Sequence, residues 1–318
     1  EPKDEKGQKN GSLAKRAGLP RYQVLNISNL ATWYRADGRG NYPPSGSGDG
    51  LYYPRGTGSA DYENGLMWGA KPYRDAAKTL PAPFGQYFRV GGNEYPSGNQ
   101  EGRIIGIGSA AVASNLNDAD VRIYRIRRDY KAIPDDDVTR DAAEYNEISI
   151  SQVSPTQKAD ILTQYNTDWK NWPTAYGAPY IERNGTPGYQ YPGDFNYDAN
   201  AGTLFTAESL ISQNKDEPGL AGADKNIAAD QVIWTVYNDL NESLVNSLYG
   251  CKPMGIEVQV TLWGYKRTDA LGNIYFKKHT FINKGGVDTS GTGQKGSFWL
   301  DSMYVAQWAD IDLGNAGD

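Results

Sequence analysis

The sequence is poor in the residues on which many enzymes and disulfide-stabilised folds depend. It has one cysteine, one histidine and three methionines in 318 residues. The single cysteine, Cys251, cannot form an internal disulfide, and we expect it to be a small buried residue. The single histidine, His279, excludes a metal site or catalytic constellation built on several histidines, and a structural role in a strand is expected. No G-x-S-x-G motif occurs either.

Long apolar runs and clusters of basic residues are also missing. A membrane-spanning helix needs roughly 20 apolar residues, and the longest apolar run, Ile104 to Ala113, is far shorter and rich in Gly and Ala. The net charge is −6, whereas nucleic-acid binding depends on clustered Lys and Arg. The one basic run, Arg122 to Arg128, is predicted to form an exposed strand face. Neither a membrane span nor a nucleic-acid partner is predicted.

Aromatic residues and turn formers are abundant. The chain contains 23 Tyr, 8 Trp and 7 Phe, which disordered sequences lack. Its 37 Gly and 17 Pro follow no fixed period and are typical of turns between short strands. These features predict a mainly β fold. We expect an antiparallel β-sandwich, jelly-roll-like, with long loops and one or two helices in the middle.

The composition changes along the chain and divides it into four parts. Residues 1–19 mix Lys, Glu, Gly and Gln and are predicted to form a flexible or extended arm. Residues 20–138 are predicted to be rich in strands, residues 139–230 to form a helical and long-loop insertion, and residues 231–318 to form an antiparallel meander that completes the sandwich. The chain starts EPKDEKGQKN without a methionine and stops abruptly. We expect a processed or truncated piece of a longer precursor.

Two segments carry clear local patterns. In SPTQKADILTQYNTDW, Ser154 and Gln157 have the spacing of a capping box, which predicts a helix from Pro155 to Trp169; a shorter helix is predicted around Arg140 to Glu147. In MGIEVQVTLWGYKR, apolar residues alternate with other residues, which predicts a strand with one face in the core. The expected core residues are Ile256, Val258, Val260 and Leu262. The following strand should be reached through a sharp bend near Leu271 to Asn273.

Several sequence words resemble a recurring segment of large exported proteins. They include NISNLATWYRADGRG, ENGLMWGAK, DWKNWPTAYGAPY and the stretch from QVIWTVYND to FINKG, followed by YVAQWADIDLGNAGD. This order of words resembles uncharacterised proteins of Bacteroidetes-type bacteria that use type IX secretion. The resemblance implies an extracellular or cell-surface location. It also shows two departures, because the sorting domain of that family is absent here and its Asp/Asn-Gly repeat after GAPY is replaced by ERNGTPGYQYPGDFNYDANAG.

Two acidic segments are candidate calcium sites. Oxygen side chains at alternate positions can surround one hard cation, and this spacing occurs at Asp194, Asn196, Asp198 and Asn200. The segment has Ala199 in place of the central glycine and Phe205 in place of a closing glutamate, so an ordinary polar loop is the alternative. Asp310 and Asp312 form the second candidate. Calcium is therefore a possible cofactor.

Tyrosine-rich segments outside the predicted strands are candidate interfaces, because Tyr and Trp combine a large contact area with a polar edge. The alternative is that these rings fill small cores beneath long loops. Two further rings, on a predicted strand, are candidates for an exposed glycan-binding pair. The candidate residues are Tyr42, Tyr52, Tyr53, Tyr176, Tyr180, Tyr189 and Tyr191, and the glycan-binding pair is Trp263 and Tyr265.

These observations predict a protein that is not an enzyme. The first hypothesis is an extracellular structural or cell-surface protein, a self-assembling subunit of a fibre or sheath whose partners are other copies of itself or other surface proteins. The alternative is a carbohydrate-binding or adhesive module with glycans as partners. A second alternative is a fragment of a secreted hydrolase, since 38 Asp and Glu residues offer many carboxylate pairs.

Overall fold

The structure, a computed structural model, describes residues 20–46, 50–179 and 229–314. Strand accounts for 36% and helix for 18%, which confirms a mainly β fold. The predicted arm, residues 1–19, lies outside the described residues. The helices are α1 (Asp135–Tyr145), α2 (Pro155–Lys170) and α3 (Glu242–Tyr249). The strands are β1 (Tyr22–Leu25), β2 (Ala31–Arg35), β3 (Leu51–Tyr52), β4 (Ser59–Asp61), β5 (Glu63–Tyr73), β6 (Arg89–Gly92), β7 (Gln100–Glu101), β8 (Ile104–Ile105), β9 (Val112–Ala113), β10 (Tyr124–Arg127), β11 (Gln231–Asn238), β12 (Ile256–Gly264), β13 (Tyr275–Asn283), β14 (Val287–Asp288), β15 (Lys295–Gly296) and β16 (Trp299–Asp310).

The strands form several antiparallel sheets. One sheet has the order β1-β2-β3-β4, a second has the order β10-β11-β12-β13 with β7 beside β11, and a third has the order β16-β5-β6. Two small hairpins, β8-β9 and β14-β15, stand apart from them. The sheets are open. The pairing therefore shows a mainly β fold with antiparallel sheets, and the sandwich itself is not established.

The alternation in β12 builds the main core. Ile256, Val258, Val260 and Leu262 are all buried and lie in one apolar cluster, as the period-two pattern predicts. The same cluster contains Leu25, Tyr34, Trp68 and Ala70 from strands β1, β2 and β5. Strands of different sheets thus bury their apolar faces against one another, and apolar burial of this kind is the largest favourable contribution to folding.

A second core lies on the other face of the β11-β12 pair. All eight residues of β11 are buried, because this strand is covered on both faces. Val232, Trp234 and Val236 pack in a cluster with Trp169 and Trp172, at and just beyond the end of α2. This layer fixes α2 against the second sheet, where the helix contacts β10 most closely.

Helix α2 is confirmed with its predicted cap. Ser154 is the N-cap, and its side chain accepts a hydrogen bond from the Gln157 amide. The Gln157 side-chain oxygen accepts a second hydrogen bond from the Ser154 amide. This arrangement satisfies two amides that would otherwise lack partners. Helix α1 starts earlier than predicted, because Asp135, Asp136 and Asp137 form its first turn, where negative charge is favourable. The predicted bend between β12 and β13 is a 3-10 turn, Ala270–Asn273.

Candidate functional site

The prediction that the basic run forms an exposed strand face is wrong. Arg125 is 0% exposed and Arg127 is 4% exposed. Arg125 Nη1 lies 2.8 Å from Asp141 Oδ1, and the carboxylate of Asp168 bonds to both the Arg122 guanidinium and the Arg125 amide. The carboxylates come from α1 and α2, so the strand is covered by helices that carry its counter-charges. These arginines hold the helical layer on the second sheet.

The tyrosines predicted as an interface occupy different environments. Tyr42 is partly buried, with the Arg39 guanidinium 4.1 Å from its ring centroid, and Tyr52 packs against a small core with Trp33. Tyr53 is 45% exposed and Tyr176 is 37% exposed, and the Arg103 guanidinium lies 3.9 Å from the Tyr176 ring centroid. Tyr180, Tyr189 and Tyr191 lie outside the described residues. Of the described four, Tyr53 and Tyr176 are therefore exposed, whereas Tyr42 and Tyr52 are partly buried.

The predicted glycan-binding pair is not exposed. Tyr265 is only 7% exposed, and Trp263 is partly buried with its ring stacked on Phe276 at a centroid distance of 5.3 Å. Both rings belong to the second core because β13 covers them. They are unsuitable as an open platform for a sugar.

The first calcium candidate, Asp194, Asn196, Asp198 and Asn200, lies outside the described residues. Asp310 ends β16 and accepts a hydrogen bond from the Tyr95 hydroxyl at 2.9 Å, and Asp312 follows in a segment without regular structure. Within residues 20–46, 50–179 and 229–314, no group of three or more His, Cys, Asp or Glu side chains is placed to hold a metal ion. The same residues contain no helix long and apolar enough to cross a membrane.

Strand β16 is the most unusual surface feature of the described chain. It is 12 residues long and pairs with β5 on one side only, with no described strand on its other side. It exposes large apolar side chains, with Trp299 at 55%, Tyr304 at 72% and Val305 at 49%. The span from Ser302 to Ala309 contains neither a charged residue nor a proline. Its backbone edge is therefore open to a further strand.

The outer face of the third sheet is aromatic. In β5, a Cβ added to Gly65 would lie 2.7 Å from Trp308 Nε1, and one added to Gly69 would lie 2.5 Å from Phe88 Cζ, so the two glycines let these rings lie flat on the strand. Tyr95 packs against Trp308 with ring centroids 4.9 Å apart. Phe88, Tyr95 and Tyr304 are each more than 40% exposed. We call this surface, formed by Phe88, Tyr95, Tyr304 and Trp308, the aromatic face.

Two buried carboxyl groups have strongly raised pKa values. Burial, followed by the nearby charge of Asp37, raises the pKa of Glu63 to about 8, and burial raises the pKa of Asp37 to about 7 despite the favourable charge of Arg35. Perturbed carboxyl groups of this kind are found in catalytic sites. However, Asp37 is 4% exposed and Glu63 is 2% exposed, so a polymeric substrate cannot reach them in this conformation. The pair therefore gives the hydrolase alternative little support.

The other singled-out residues lie in the interior. Cys251 is buried, and its thiol donates to the carbonyl oxygen of Val90 at 3.2 Å. His279 lies on β13, and burial lowers the pKa of its imidazole to about 3, so its ring is neutral at physiological pH. On the same face of β13, Lys277 Nζ lies 3.0 Å from Asn64 Oδ1. No sequence pattern pointed to that contact, because 213 residues separate the two side chains.

Comparison with known proteins gave no match to any protein family, curated protein or solved structure.

Proposed function

We propose that this protein is an extracellular structural or cell-surface subunit that assembles with copies of itself by strand addition at β16. The exposed, uncharged edge of β16 carries the proposal. The resemblance to exported proteins supports the extracellular location. We also propose that the sheets of the whole subunit pack as a sandwich. The edge strands that join one copy to the next would lie at the borders of this sandwich.

Natural edge strands are normally protected against pairing by lysines, prolines or short length. Strand β16 lacks the first two devices over Ser302 to Ala309 and is long. A register shift between Asp301 and Tyr304 is its one irregularity. An uncharged segment of high β propensity without proline promotes strand association. Such an edge is a favourable site for the addition of a further strand.

The charges of the edge strands favour a second copy of the chain as the partner of β16. Strand β16 contains Asp301 and Asp310 and no basic residue, although Asp301 forms an ion pair with Lys78 at 2.6 Å. Strand β13, the last strand of the second sheet, contains Lys277 and Lys278 and no acidic residue. Pairing β16 with β16 brings like charges together, and pairing β16 with β13 of another copy brings opposite charges together. Such a head-to-tail contact generates a filament unless the rotation between copies closes a ring, and a filament is the form that we propose.

A lysine at the centre of the edge is expected to block assembly. Val305→Lys should weaken association about tenfold or more, equivalent to about 1.4 kcal/mol, because a charge would have to be buried between strands. Sedimentation velocity across a concentration series, with electron microscopy of the same samples, measures this. The matched control is Val112→Lys on β9, since Val112 is 47% exposed against 49% for Val305. A wild-type chain that stays monomeric throughout the series contradicts the proposal.

The head-to-tail arrangement has its own test. Thr280 is exposed on β13, and the charge of Thr280→Asp should be repelled by Asp301 and Asp310, which flank the uncharged span of β16. Each variant alone should fail to form filaments. A mixture of Val305→Lys and Thr280→Asp should recover association, because the intact β16 of one variant can pair with the intact β13 of the other. Filaments of normal length formed by Thr280→Asp alone would exclude β13 as the partner strand.

The aromatic face favours a second candidate function, the binding of a polysaccharide. Tyr95 and Trp308 are tilted 48° to each other beside the more exposed Tyr304, and aromatic rings with a polar edge suit sugar surfaces. This arrangement replaces the buried Trp263 and Tyr265 as the candidate glycan surface.

We expect Tyr304→Ala to weaken binding to an insoluble polysaccharide about threefold to tenfold, given that one aromatic contact contributes about 0.5–1.5 kcal/mol. Pull-down isotherms with cellulose, chitin and peptidoglycan should be measured in the Val305→Lys background, so that assembly does not contribute. Tyr53→Ala is the control, because Tyr53 is also exposed, at 45% against 72% for Tyr304, but lies outside the aromatic face. Equal isotherms for all three proteins would rule out glycan binding at this face.

A further inference from the structure

An amine and a carboxamide meet in the interior between two sheets. Lys277 projects from β13 of the second sheet, and Asn64 projects from β5 of the third. The Lys277 Nζ atom lies 3.0 Å from Asn64 Oδ1. Because a carbonyl bond is about 1.23 Å long, Nζ lies no more than about 4.2 Å from the carbonyl carbon Cγ. The two groups are close to the separation at which bond formation starts.

The carboxamide of Asn64 is held in place from several sides. Asn64 is 2% exposed, and its backbone pairs with Gly40 through two hydrogen bonds of 2.9 and 3.0 Å. A Cβ on residue 40 would lie 2.2 Å from Asn64 Oδ1, so the amide fits only because residue 40 is glycine. These contacts fix the amide in front of the amine.

A carboxyl group adjoins the amide nitrogen. Asn64 Nδ2 donates to Asp61 Oδ2 at 3.3 Å, and Asn41 Nδ2 donates to the same oxygen at 2.6 Å. The second oxygen, Asp61 Oδ1, is buried and makes no hydrogen bond to any described residue. Burial raises the pKa of Asp61, which favours its taking up a proton.

The amine of Lys277 is in a state suited to react. Lys277 is partly buried, and its Nζ lies 5.6 Å from the centroid of the Tyr34 ring. Burial lowers the pKa of Lys277 to about 8, so about a tenth of the side chains carry the neutral, nucleophilic amine at pH 7, far more than for an ordinary lysine. A surface lysine lacks this property.

We propose that Lys277 and Asn64 form an intramolecular amide bond that links β13 covalently to β5. The Nζ lone pair adds to Cγ, and the Cγ–Oδ1 π electrons move onto Oδ1. When they return, the Cγ–Nδ2 bond breaks and Nδ2 leaves as ammonia. One amine and one carboxamide thus give one secondary amide and one ammonia, with no oxidant, reductant or cofactor.

Asp61 carries the proton between the two nitrogens. After addition, Nζ and Nδ2 are bonded to the same carbon, and the Asp61 carboxylate that already accepts the Nδ2 hydrogen bond is adjacent to both. It takes the proton that Nζ must lose and returns it to Nδ2, which must leave as neutral ammonia. Asp61 is therefore the general base and acid of this step, and Gly40 is a positioning residue for the amide.

The mass of the intact, denatured chain tests this bond. The wild-type mass should be lower than the sequence mass by one ammonia. Trypsin should yield a branched peptide that joins Gly56–Arg74 to Thr268–Lys278, because an acylated Lys277 is no longer a cleavage site. A wild-type chain with the unmodified sequence mass and a normal cleavage after Lys277 overturns the proposal.

One alternative has the same mass. Asn64 precedes Gly65, and an Asn-Gly pair can lose ammonia by forming a succinimide without any lysine. Lys277→Arg keeps the charge and most of the volume but cannot form the amide, so the mass deficit should disappear. Lys71→Arg on the exposed part of β5 is the control and should keep it. A deficit that persists in Lys277→Arg assigns the loss to a succinimide and overturns the proposal.

The roles of Asp61 and Gly40 can be tested through the rate of cross-linking. The fraction of cross-linked chain after refolding should rise at least tenfold more slowly in Asp61→Asn, which cannot carry the proton, and in Gly40→Ala, which displaces the amide. Circular dichroism establishes that each variant is folded. Asp136→Asn, at an exposed position of α1, should cross-link at the wild-type rate. Wild-type rates in folded Asp61→Asn would overturn its assigned role.

Discussion

Replacing Arg125 with alanine is expected to lower the free energy of unfolding by about 3–5 kcal/mol, because removing one partner of a buried ion pair leaves the other charge uncompensated. Asp141 would be that charge. It is 1% exposed, and besides Arg125 it accepts hydrogen bonds from Tyr165 and Asn26. The neighbouring charge of Arg125 is what holds the pKa of Asp141 below its usual value against burial. Urea unfolding followed by fluorescence measures the loss.

Two further variants test whether loss of the buried ion pair causes this destabilisation. Arg125→Met combined with Asp141→Leu should recover most of the stability, since an apolar pair of similar volume often replaces a buried ion pair at little cost. Arg74→Ala, at an exposed arginine, should change the free energy of unfolding by less than about 0.5 kcal/mol. If Arg125→Ala were as mild as Arg74→Ala, the ion pair would not hold the helical layer on the second sheet.

Glu63→Gln is expected to stabilise the protein at high pH by about 1–3 kcal/mol, because the wild-type chain must then keep an ionised carboxylate buried. The Glu63 atom Oε1 has no hydrogen-bond partner in the described chain. The charge of Asp37 adds to the effect of burial, and Arg35 opposes it. The gain should appear in unfolding curves at pH 9 and shrink towards zero near pH 4.5.

The direction of this pH dependence follows from proton linkage. The folded-state pKa of Glu63 is raised to about 8, so the folded chain binds this proton more tightly than the unfolded chain does. The resulting stabilisation is complete below about pH 4.5 and is lost as the pH rises through 8. Glu94→Gln, in an exposed turn, should stay within about 0.5 kcal/mol of wild type at both pH values. A gain for Glu63→Gln that grew as the pH fell would contradict the assignment.

Local chemistry explains which parts of the fold the sequence predicted. Ser154 and Gln157 cap α2 through contacts within four residues, and Ile256 to Leu262 alternate within a single strand. Such signals depend on near neighbours along the chain. The bend before β13 also depends on near neighbours, because Asp269 accepts a hydrogen bond from the amide of Leu271, two residues further along the chain.

The features that sequence reasoning missed depend on partners far along the chain. Within the basic run, Tyr124 to Arg127 alternates apolar and basic residues like a half-exposed strand. Nothing in this segment shows that Asp141 and Asp168 will cover its basic face. From the sequence, Trp263 and Tyr265 could form an exposed aromatic platform. Only the structure shows that Phe276 stacks on Trp263 and meets Tyr265 edge-on. The exposure of β16 was missed as well, because its sequence does not show on which side a neighbour will be lacking.

The pairing of β5 with β16 also sets an order of events. Trp68 lies opposite Val305, so β5 obtains this neighbour only after synthesis has passed residue 299, the start of β16. Contacts between such distant segments form late in folding. A nascent chain that stops before residue 299 has no β16. Under the assembly that we propose, such an incomplete chain would lack the strand that joins one subunit to the next.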